Sequence, residues 1–545
     1  MWIDALCINQ ENDVEKGSHV RMMAEIYRVA SRVVVWLGPE ENDSNRAMEL
    51  IEYLGSQTTF NYLHMRLKPS EVCTDPTLCD RDVPLPFNEG ELAAIYCLIS
   101  RQWFERLWVR QEIWSANKDA ITRCGSQQLI WTCFRQGLFC FLMRCAEDVK
   151  NNVWSKFGGL VLAHLNVELI GIRLVFGTLH CKDPRDRIYA ISAMLPDEEQ
   201  AFIPHPNYSQ PFVELYTHAI LQWIGFYNSL NILHVCELQN KPSWPSWVPN
   251  WSIHSRMPVK ISPQHASSQL RCWHQQPQPG TLRVKGISGF VIDRHHKLQL
   301  NRYLSGGGTF NLLREILRGL GPIERDSIER YARTFSMGQV SDMCKPPIGG
   351  RLCFDIVAGV VRLLMSDYEF DDLFEYDYSG GDNTLSAKDP DGVFNVLIQF
   401  CKELDGLLIF QGGTSGIGIG SQLAKSGDEV CVIVGCNCPL LLRPISNGQY
   451  KLVGPCFVDD LKWGEAILGP SPKGIRPVFA DTDTDSHVPA FMDSVSGAVS
   501  FEDPRLKSLP IDLSDFRRKL SKNPWAKIDV DPDLLGVELQ CFDLV

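Results

Sequence analysis

The chain has 545 residues, and at roughly 150 residues per domain this length predicts three or four folded units. Its hydrophobic share of 44% and charged share of 22% are ordinary for globular proteins, so they exclude wholesale disorder, collagen-like repeats and a coiled coil. Lys and Arg together number 53 against 65 Asp and Glu, which gives a net charge of −12. Without a local basic stripe, we expect no nucleic acid among the partners.

Cysteine usage and the absence of targeting signals point to a reduced compartment. The 19 cysteines are scattered over the chain, and the N-terminus lacks the basic leader and apolar core of a signal peptide. The longest apolar window, residues 157–180, is interrupted by polar and charged side chains, so we predict no membrane span. A cytoplasmic location is therefore expected.

The first 55 residues predict alternating strands and helices. We expect a strand at residues 2–6 and then a helix with a buried face from Val20 to Ala30. Residues 33–37 are continuous and largely β-branched, which is typical of a strand buried on both sides. A further helix begins near Ala47 and ends at Gly55. This alternation with short links predicts a parallel sheet.

The next segments predict an insertion loop at residues 66–90 and helices at residues 91–100 and 104–116. Trp108 and Glu112 stand four residues apart in the last helix, so they share one face and the indole can lie against the carboxylate. Burial would raise the pKa of that acid.

An ordinary surface ion pair is the alternative role for Glu112. The three arginines nearby that could pair with it are Arg101, Arg106 and Arg110. Because structural ion pairs use the same residue types as active sites, the segment by itself favours this simpler interpretation.

The glycine-rich stretch at Gly412–Gly420 resembles the phosphate-binding turn of a short-chain dehydrogenase, an enzyme class that uses NADP. Only eight residues lie between Gly418 and Gly427, which is short for a crossover helix. The chain also offers no Tyr-x-x-x-Lys pair of the kind that such enzymes use. A glycine-rich β-hairpin is therefore favoured, and the dehydrogenase stays a third alternative.

No metal site is predicted. The acidic run at residues 481–486 resembles the start of a calcium loop, but the twelfth position is Met492, which cannot coordinate calcium. Cys436 and Cys438 lack a second pair at zinc spacing. The tryptophans of residues 243–251 are expected to pack a proline-rich linker onto a core.

Several segments together resemble the fungal heterokaryon-incompatibility (HET) domain in order and spacing. They are WIDALCINQ at residues 2–10, residues 15–38, and RQWFERLWVRQEIWSA at residues 101–116. Residues 183–195, 207–216, 245–251 and 427–467 resemble the helical and β-rich regions that commonly follow this domain. The family's domain normally begins upstream of WIDALCINQ, so the resemblance implies either an N-terminally truncated domain or a degenerate member whose sheet lacks a strand.

The resemblance also implies a fold and two candidate activities. HET domains resemble Toll/interleukin-receptor (TIR) domains, which have a flavodoxin-like parallel sheet, and some TIR domains cleave NAD with a glutamate. Glu112 matches that catalytic position, and Asp4, Asn9, Gln10 and Trp108 would form the substrate-binding wall. The favoured function is a signalling or interaction module in fungal non-self recognition and incompatibility-triggered cell death. NAD cleavage through Glu112 is the enzymatic alternative.

The whole chain is accordingly predicted as an α/β protein with an incomplete TIR/flavodoxin-like parallel sheet, a helical middle and a mixed α/β, β-rich C-terminal region. No bound cofactor is expected, and NAD enters only as the substrate of the enzymatic alternative. The partners are expected to be other proteins or further copies of the chain. We predict a partial HET domain at 1–120, a helical region at 121–240, a Pro/Trp linker with short strands at 241–300, a mixed helical region with a polar loop at 301–400, a β-rich module at 401–470 and a polar, partly ordered tail at 471–545.

Overall fold

Two compact units make up the chain. The amino-terminal unit comprises Met1–Trp223 and Trp251–Arg256, and the carboxyl-terminal unit comprises Ile224–Asn250 and Met257–Val545. The structure is a computed structural model that describes residues 1–61, 66–80, 83–144, 168–239, 244–253, 264–300, 306–320, 328–338, 340–341, 352–365, 396–397, 400, 403–413, 416–481, 487–531 and 534–545. Within these residues, none of the helices has the length and apolar character that crossing a membrane requires.

The amino-terminal unit is mostly helical around a small sheet. Its helices are α1 Asp4–Cys7, α2 Asp13–Val29, α3 Ser44–Gln57, α4 Glu89–Ile99, α5 Val109–Ser115, α6 Trp131–Arg144, α7 Ile172–Phe176, α8 Asp186–Tyr189, α9 Asp197–Gln200 and α10 Phe212–Tyr227, which begins in this unit. Its strands are β1 Val34–Trp36, β2 Thr58–Asn61, β3 Arg66–Pro69, β4 Ile121–Cys124 and β5 Gln127–Ile130. Strands β4 and β5 therefore open the region from residue 121 that was expected to be helical.

Strand β1 pairs with β4 in the parallel sense, and β5 adds to β4 in the antiparallel sense. The predicted parallel sheet rested on residues 2–6 and 33–37, so the partner of β1 is a strand that the sequence analysis did not predict. The wider TIR-like sheet stays a prediction. Strand β1 is not buried on both sides: Val35 is buried, whereas Val34 and Trp36 are 51% and 52% exposed. Val34 and Trp36 share the face opposite to Val35, so one face of β1 is uncovered, which a continuous β-branched run does not reveal.

Helices α3 and α6 cross closely enough to require glycine at the contact. A β-carbon at Gly55 would lie 2.1 Å from the carbonyl oxygen of Cys133, and one at Gly137 would lie 2.0 Å from that of Ile51. Gly55 was expected to end its helix, but α3 continues to Gln57. This glycine thus serves helix packing, which local sequence cannot distinguish from a C-terminal cap.

The predicted strand at residues 2–6 is wrong, because the helix α1 occupies Asp4–Cys7. This run has no neighbouring strand to pair with, and most of its side chains are exposed. Helix α2 agrees with its prediction: Val20 and Met23 are buried, and the Asn12 side chain accepts hydrogen bonds from the amides of Val14 and Glu15.

The predicted helix at residues 104–116 is interrupted. A 3-10 turn at Gln102–Glu105 is followed by α5, which starts only at Val109. Between them the chain pairs with His180: the Leu107 amide donates to the carbonyl of His180 over 2.9 Å, and the His180 amide donates to that of Glu105 over 2.6 Å. These bonds to a distant segment replace the helical ones, so Trp108 directly precedes α5.

The carboxyl-terminal unit is built on an eight-stranded sheet. The strands are β6 His274–Gln275, β7 Leu282–Lys297, β8 Val340–Ser341, β9 Leu352–Cys353, β10 Leu407–Gly412, β11 Gly416–Ser421, β12 Glu429–Ile433, β13 Leu440–Pro444, β14 Gln449–Phe457, β15 Ile475–Asp481, β16 His487–Asp493, β17 Val499–Ser500 and β18 Gln540–Leu544. The helices are α11 Gly306–Leu320, α12 Ile328–Phe335, α13 Phe354–Met365, α14 Glu465–Leu468 and α15 Ser514–Leu520. The order β10–β11–β14–β13–β12–β7 closes on itself because β7 also pairs with β10, and β18 pairs with both β7 and β14.

The glycine-rich stretch forms the predicted β-hairpin, because β10 and β11 pair in antiparallel register. A dinucleotide turn would instead place a helix after the glycines. Since Gly416–Ser421 is a strand, the dehydrogenase alternative is overturned. Thr414 and Ser415 lie outside the described residues, as do the polar loop predicted near residues 379–392 and most of the calcium-like acidic run at residues 482–486.

Other C-terminal expectations need correction in detail. The region at 241–300 contains one long strand, β7, whose sections pair with β6, β10, β12 and β18, rather than several short ones. The tail is more structured than its polar composition indicated, because β15 and β16 form a hairpin and β18 joins the main sheet. The expected packing of the linker tryptophans is confirmed: Trp244, Trp247 and Trp251 are all buried.

Candidate functional site

Glu112 lies on α5 in a cluster with groups from three parts of the amino-terminal unit. The hydroxyl of Tyr27, on α2, is hydrogen-bonded to its carboxylate, and the charges of Arg106 and Asp4 act on it. Burial raises the pKa of Glu112 to about 7; Arg106 and the Tyr27 hydrogen bond oppose this rise, and Asp4 adds to it. The carboxyl group therefore changes its charge near neutral pH.

Tyr27 is fixed beside Glu112 by an aromatic contact. The ring of Trp2 meets that of Tyr27 edge to face, with 5.6 Å between centroids and 85° between planes. Burial raises the pKa of the Tyr27 hydroxyl, and the nearby charges of Glu112 and Asp4 raise it further. Tyr27 is consequently a hydrogen-bond donor to Glu112 at physiological pH.

Trp108 belongs to a second polar cluster. Its indole nitrogen donates to Oδ2 of Asp186 over 3.1 Å, and the hydroxyl of Tyr208 donates to Oδ1 of the same carboxylate over 2.7 Å. Asp186 is 5% exposed, and burial raises its pKa although both hydrogen bonds lower it. The carboxylate of Asp186 thus joins Trp108, which is 78 residues away in the chain, and Tyr208, which is 22 residues away.

The positively charged side chains of Lys16 and Arg185 lie beside the Asp186 cluster. The Lys16 ammonium, from α2, lies 3.7 Å from the centre of the Tyr208 ring, which is a cation–π contact. Arg185 holds Asp183 through two hydrogen bonds of 2.9 and 2.8 Å. These contacts tie α2 and the segment from Asp183 to the same buried group.

The remaining predicted site residues are divided between the Glu112 cluster and the surface. Asp4 acts electrostatically on Glu112, as a shared site requires. Asn9 and Gln10 are exposed between α1 and α2: the Asn9 side chain accepts from the Glu11 amide, and the Gln10 side chain donates to the carbonyl of Asp4 over 3.5 Å. The carboxylate and indole of the expected pair therefore have different partners, Tyr27 and Asp186.

Two cavities are bordered in part by residues of α2. One has a volume of about 480 Å³ and is bordered by residues such as Arg21, Gln111 and Tyr189; the other has about 310 Å³ and shares Arg21 and His205 with the first. Glu112 lines neither of these cavities. Among the described residues, no group of three or more acidic, histidine or cysteine side chains is arranged to hold a metal ion.

This arrangement is suited to holding segments together. Buried carboxylates that accept hydrogen bonds from neutral donors stabilise one packing of the segments they join. A second example in the same unit is Glu199, which accepts from the Trp223 indole over 3.0 Å and from the Leu169 amide over 2.5 Å. The partly buried indole of Trp108 and the buried indole of Trp223 are thus each paired with a buried acid.

Sequence reasoning missed Tyr27, Asp186 and Tyr208 as members of these clusters. Tyr27 was assigned to the buried face of α2, which placed it near the sheet without naming a partner. Asp186 was included only as part of the family-like segment at residues 183–195. Its distance along the chain from Trp108 leaves no local signal of their contact.

Comparisons with known proteins agree on one family. The family model described as Heterokaryon incompatibility protein (HET) matches residues 1–112. Heterokaryon incompatibility protein 6, OR allele, from Neurospora crassa is 26% identical over 569 aligned positions, which cover 85% of this chain and 81% of that protein. No solved structure matches the chain.

Proposed function

We propose that the chain acts in fungal heterokaryon incompatibility, because residues 1–112 match the HET family model, in line with the sequence resemblance. The observation that carries the proposal is the similarity to a Neurospora crassa incompatibility protein over 85% of the chain, well beyond the matched domain. The role is a signalling or interaction module in the cytoplasm, whose engagement in an incompatible fusion leads to cell death.

The geometry of the amino-terminal unit supports action by contact. Trp108 and Glu112, both inside the matched segment, make bonds that hold the unit together. Among the residues that the structure describes, β1 pairs on one edge only, with β4, and its side chains Val34 and Trp36 are half-exposed. An exposed edge of this kind pairs readily with another protein or with a second copy of the chain.

Transfer of the gene between fungal strains tests the proposed role. We expect growth arrest when the gene enters a strain that carries a different allele of it, and normal growth when the recipient carries the same allele. Equal growth of both recipients, with the protein present at equal levels, would contradict a role in incompatibility.

Self-association through β1 is tested by replacing Trp36 with lysine. The charge is expected to lower the concentration-dependent assembly of the full chain, because it would be desolvated against a pairing strand. Light scattering or analytical ultracentrifugation measures this. Trp525→Lys is the matched control, since Trp525 is 41% exposed in the carboxyl-terminal unit. Equal effects of the two substitutions would rule out β1 as the contact.

NAD cleavage through Glu112 stays a prediction, and the hydrogen bond between Tyr27 and the Glu112 carboxylate supports a structural role instead. The purified full chain is expected to release no nicotinamide from NAD. If the wild-type chain releases nicotinamide and Glu112→Gln does not, the proposed interaction module is wrong and the chain is an NAD-cleaving enzyme.

A further inference from the structure

The turn between β12 and β13 holds two thiols side by side. Cys436 and Cys438 are both buried, and their sulfur atoms are 4.0 Å apart. No disulfide joins any of the cysteines that the structure describes. A disulfide needs about 2.05 Å between sulfurs, a distance that side-chain rotation within a three-residue turn reaches from this starting point.

Asn437, the residue between the thiols, is held by three other segments of the carboxyl-terminal unit. Its amide donates to the side chain of Asn231 over 2.7 Å, and its carbonyl accepts from the amide of Ala266 over 2.9 Å. Its side-chain oxygen accepts from the ammonium of Lys527 over 3.3 Å. The turn is therefore fixed, and both sulfurs stay within reach of each other.

Lys527 brings a buried positive charge to the pair. Its ammonium also donates to the carbonyl of Ser268 over 3.2 Å, and burial lowers its pKa to about 8. The hydrogen bond from the Cys438 thiol lowers the pKa of Cys436, and the Lys527 charge lowers it further. A cation beside a thiol favours the thiolate, which is the reactive form toward oxidants.

We propose that Cys436 and Cys438 are a redox modification site, which hydroperoxides convert reversibly into a disulfide. The Cys436 thiolate attacks one peroxide oxygen, the O–O bond breaks, and an alcohol or water leaves with a proton while Cys436 becomes a sulfenic acid. The Cys438 sulfur then attacks the Cys436 sulfur, and the sulfenic oxygen leaves as water. Two thiols are oxidised, and one hydroperoxide is reduced to an alcohol and water.

The burial of the two thiols limits the size of the oxidant that can reach them. Because Cys436 is fully buried and Cys438 is 5% exposed, bulky disulfide reagents have no approach, whereas hydrogen peroxide is close to water in size. Cys456 is a third buried thiol nearby. A bond between Cys436 and Cys438 is favoured over one to Cys456 because the sulfur atoms of Cys436 and Cys438 are already only 4.0 Å apart.

Peptide mapping of the full chain tests this proposal. After treatment with hydrogen peroxide and alkylation, the tryptic peptide of residues 426–451, which contains Cys431, Cys436 and Cys438, is expected to lose two hydrogens and to carry one alkyl group. Dithiothreitol should restore three alkyl groups. Cys431→Ser should leave the loss unchanged, and Cys438→Ala should abolish it.

Two results would overturn the assignment. One is full alkylation of residues 426–451 after peroxide has oxidised other thiols, and the other is a cross-link to the peptide of residues 452–462, which contains Cys456. If Cys438→Ala does not fold, fragmentation of the oxidised Cys431→Ser peptide still locates the bond. Lys527→Met should slow disulfide formation several-fold in a folded variant, and an unchanged rate would remove Lys527 from the site.

Discussion

Asp186 and Glu112 are two buried or partly buried acids of one unit, and their surroundings differ. Asp186 receives hydrogen bonds from an indole and a phenol on distant segments. Glu112 has one phenol donor, an arginine and a like charge from Asp4. Asp186 joins segments that meet only in the folded unit, whereas Glu112 takes up a proton near neutral pH. A shifted pKa can thus accompany a structural bond as readily as a catalytic group.

Removal of Asp186 has the largest expected effect. Asp186→Ala leaves the Trp108 indole and the Tyr208 hydroxyl without their acceptor, so we expect the free energy of unfolding to fall by about 4 kcal/mol. Denaturant titration followed by tryptophan fluorescence measures the loss. Glu198→Ala, at an exposed acid of the same unit, should change stability by less than about 0.5 kcal/mol. Similar values for both variants would show that Asp186 does not join these segments.

The pH dependence of the free energy of unfolding tests the raised pKa of Glu112. A folded pKa of about 7 for Glu112, above the ordinary 4.5, means that the folded state binds the proton more tightly. Protonation of Glu112 therefore stabilises the folded state fully below about pH 4.5, and this stabilisation is lost as the pH rises through 7. Between pH 5 and pH 8 the free energy of unfolding is expected to fall by about 2 kcal/mol.

Glu112→Gln is expected to remove this loss, because the amide keeps an acceptor for Tyr27 and does not titrate. Urea titrations at pH 5 and pH 8 provide the comparison, and Glu198→Gln should keep the wild-type profile. Parallel profiles for wild type and Glu112→Gln would contradict the raised pKa.

The smallest effect is expected for one donor of the Asp186 cluster. Tyr208→Phe removes a single hydrogen bond while the Trp108 indole stays paired, so the expected loss is about 1 kcal/mol. Tyr96→Phe, at an exposed tyrosine of α4, should have no measurable effect. If Tyr208→Phe is as damaging as Asp186→Ala, the hydroxyl is not an independent contributor to this cluster.

The sequence predicted the helices with regular apolar spacing well, because their burial follows a local period. The buried faces of α2 and α3 are examples. The strand predicted at residues 2–6 is wrong because a short apolar run becomes a strand only beside another strand. The split before α5 also depends on a distant segment, since His180 takes the backbone bonds there.

The candidate site was predictable only in part for the same reason. Glu112 was singled out by its spacing from Trp108 and by the family resemblance, and burial does raise its pKa. The partners that decide its surroundings, Tyr27 and Asp4, come from other elements. Asp186 was harder still, because nothing near it in the chain identifies Trp108 as its donor.

The most direct test of action by contact is the allele-transfer experiment with Glu112→Gln, after the variant has been shown to be folded and expressed like wild type. We expect the same growth arrest in the recipient with a different allele, because the substitution preserves the hydrogen bond to Tyr27. Loss of the arrest in this stable variant, together with nicotinamide release by the wild-type chain alone, would show that the domain acts through chemistry at Glu112.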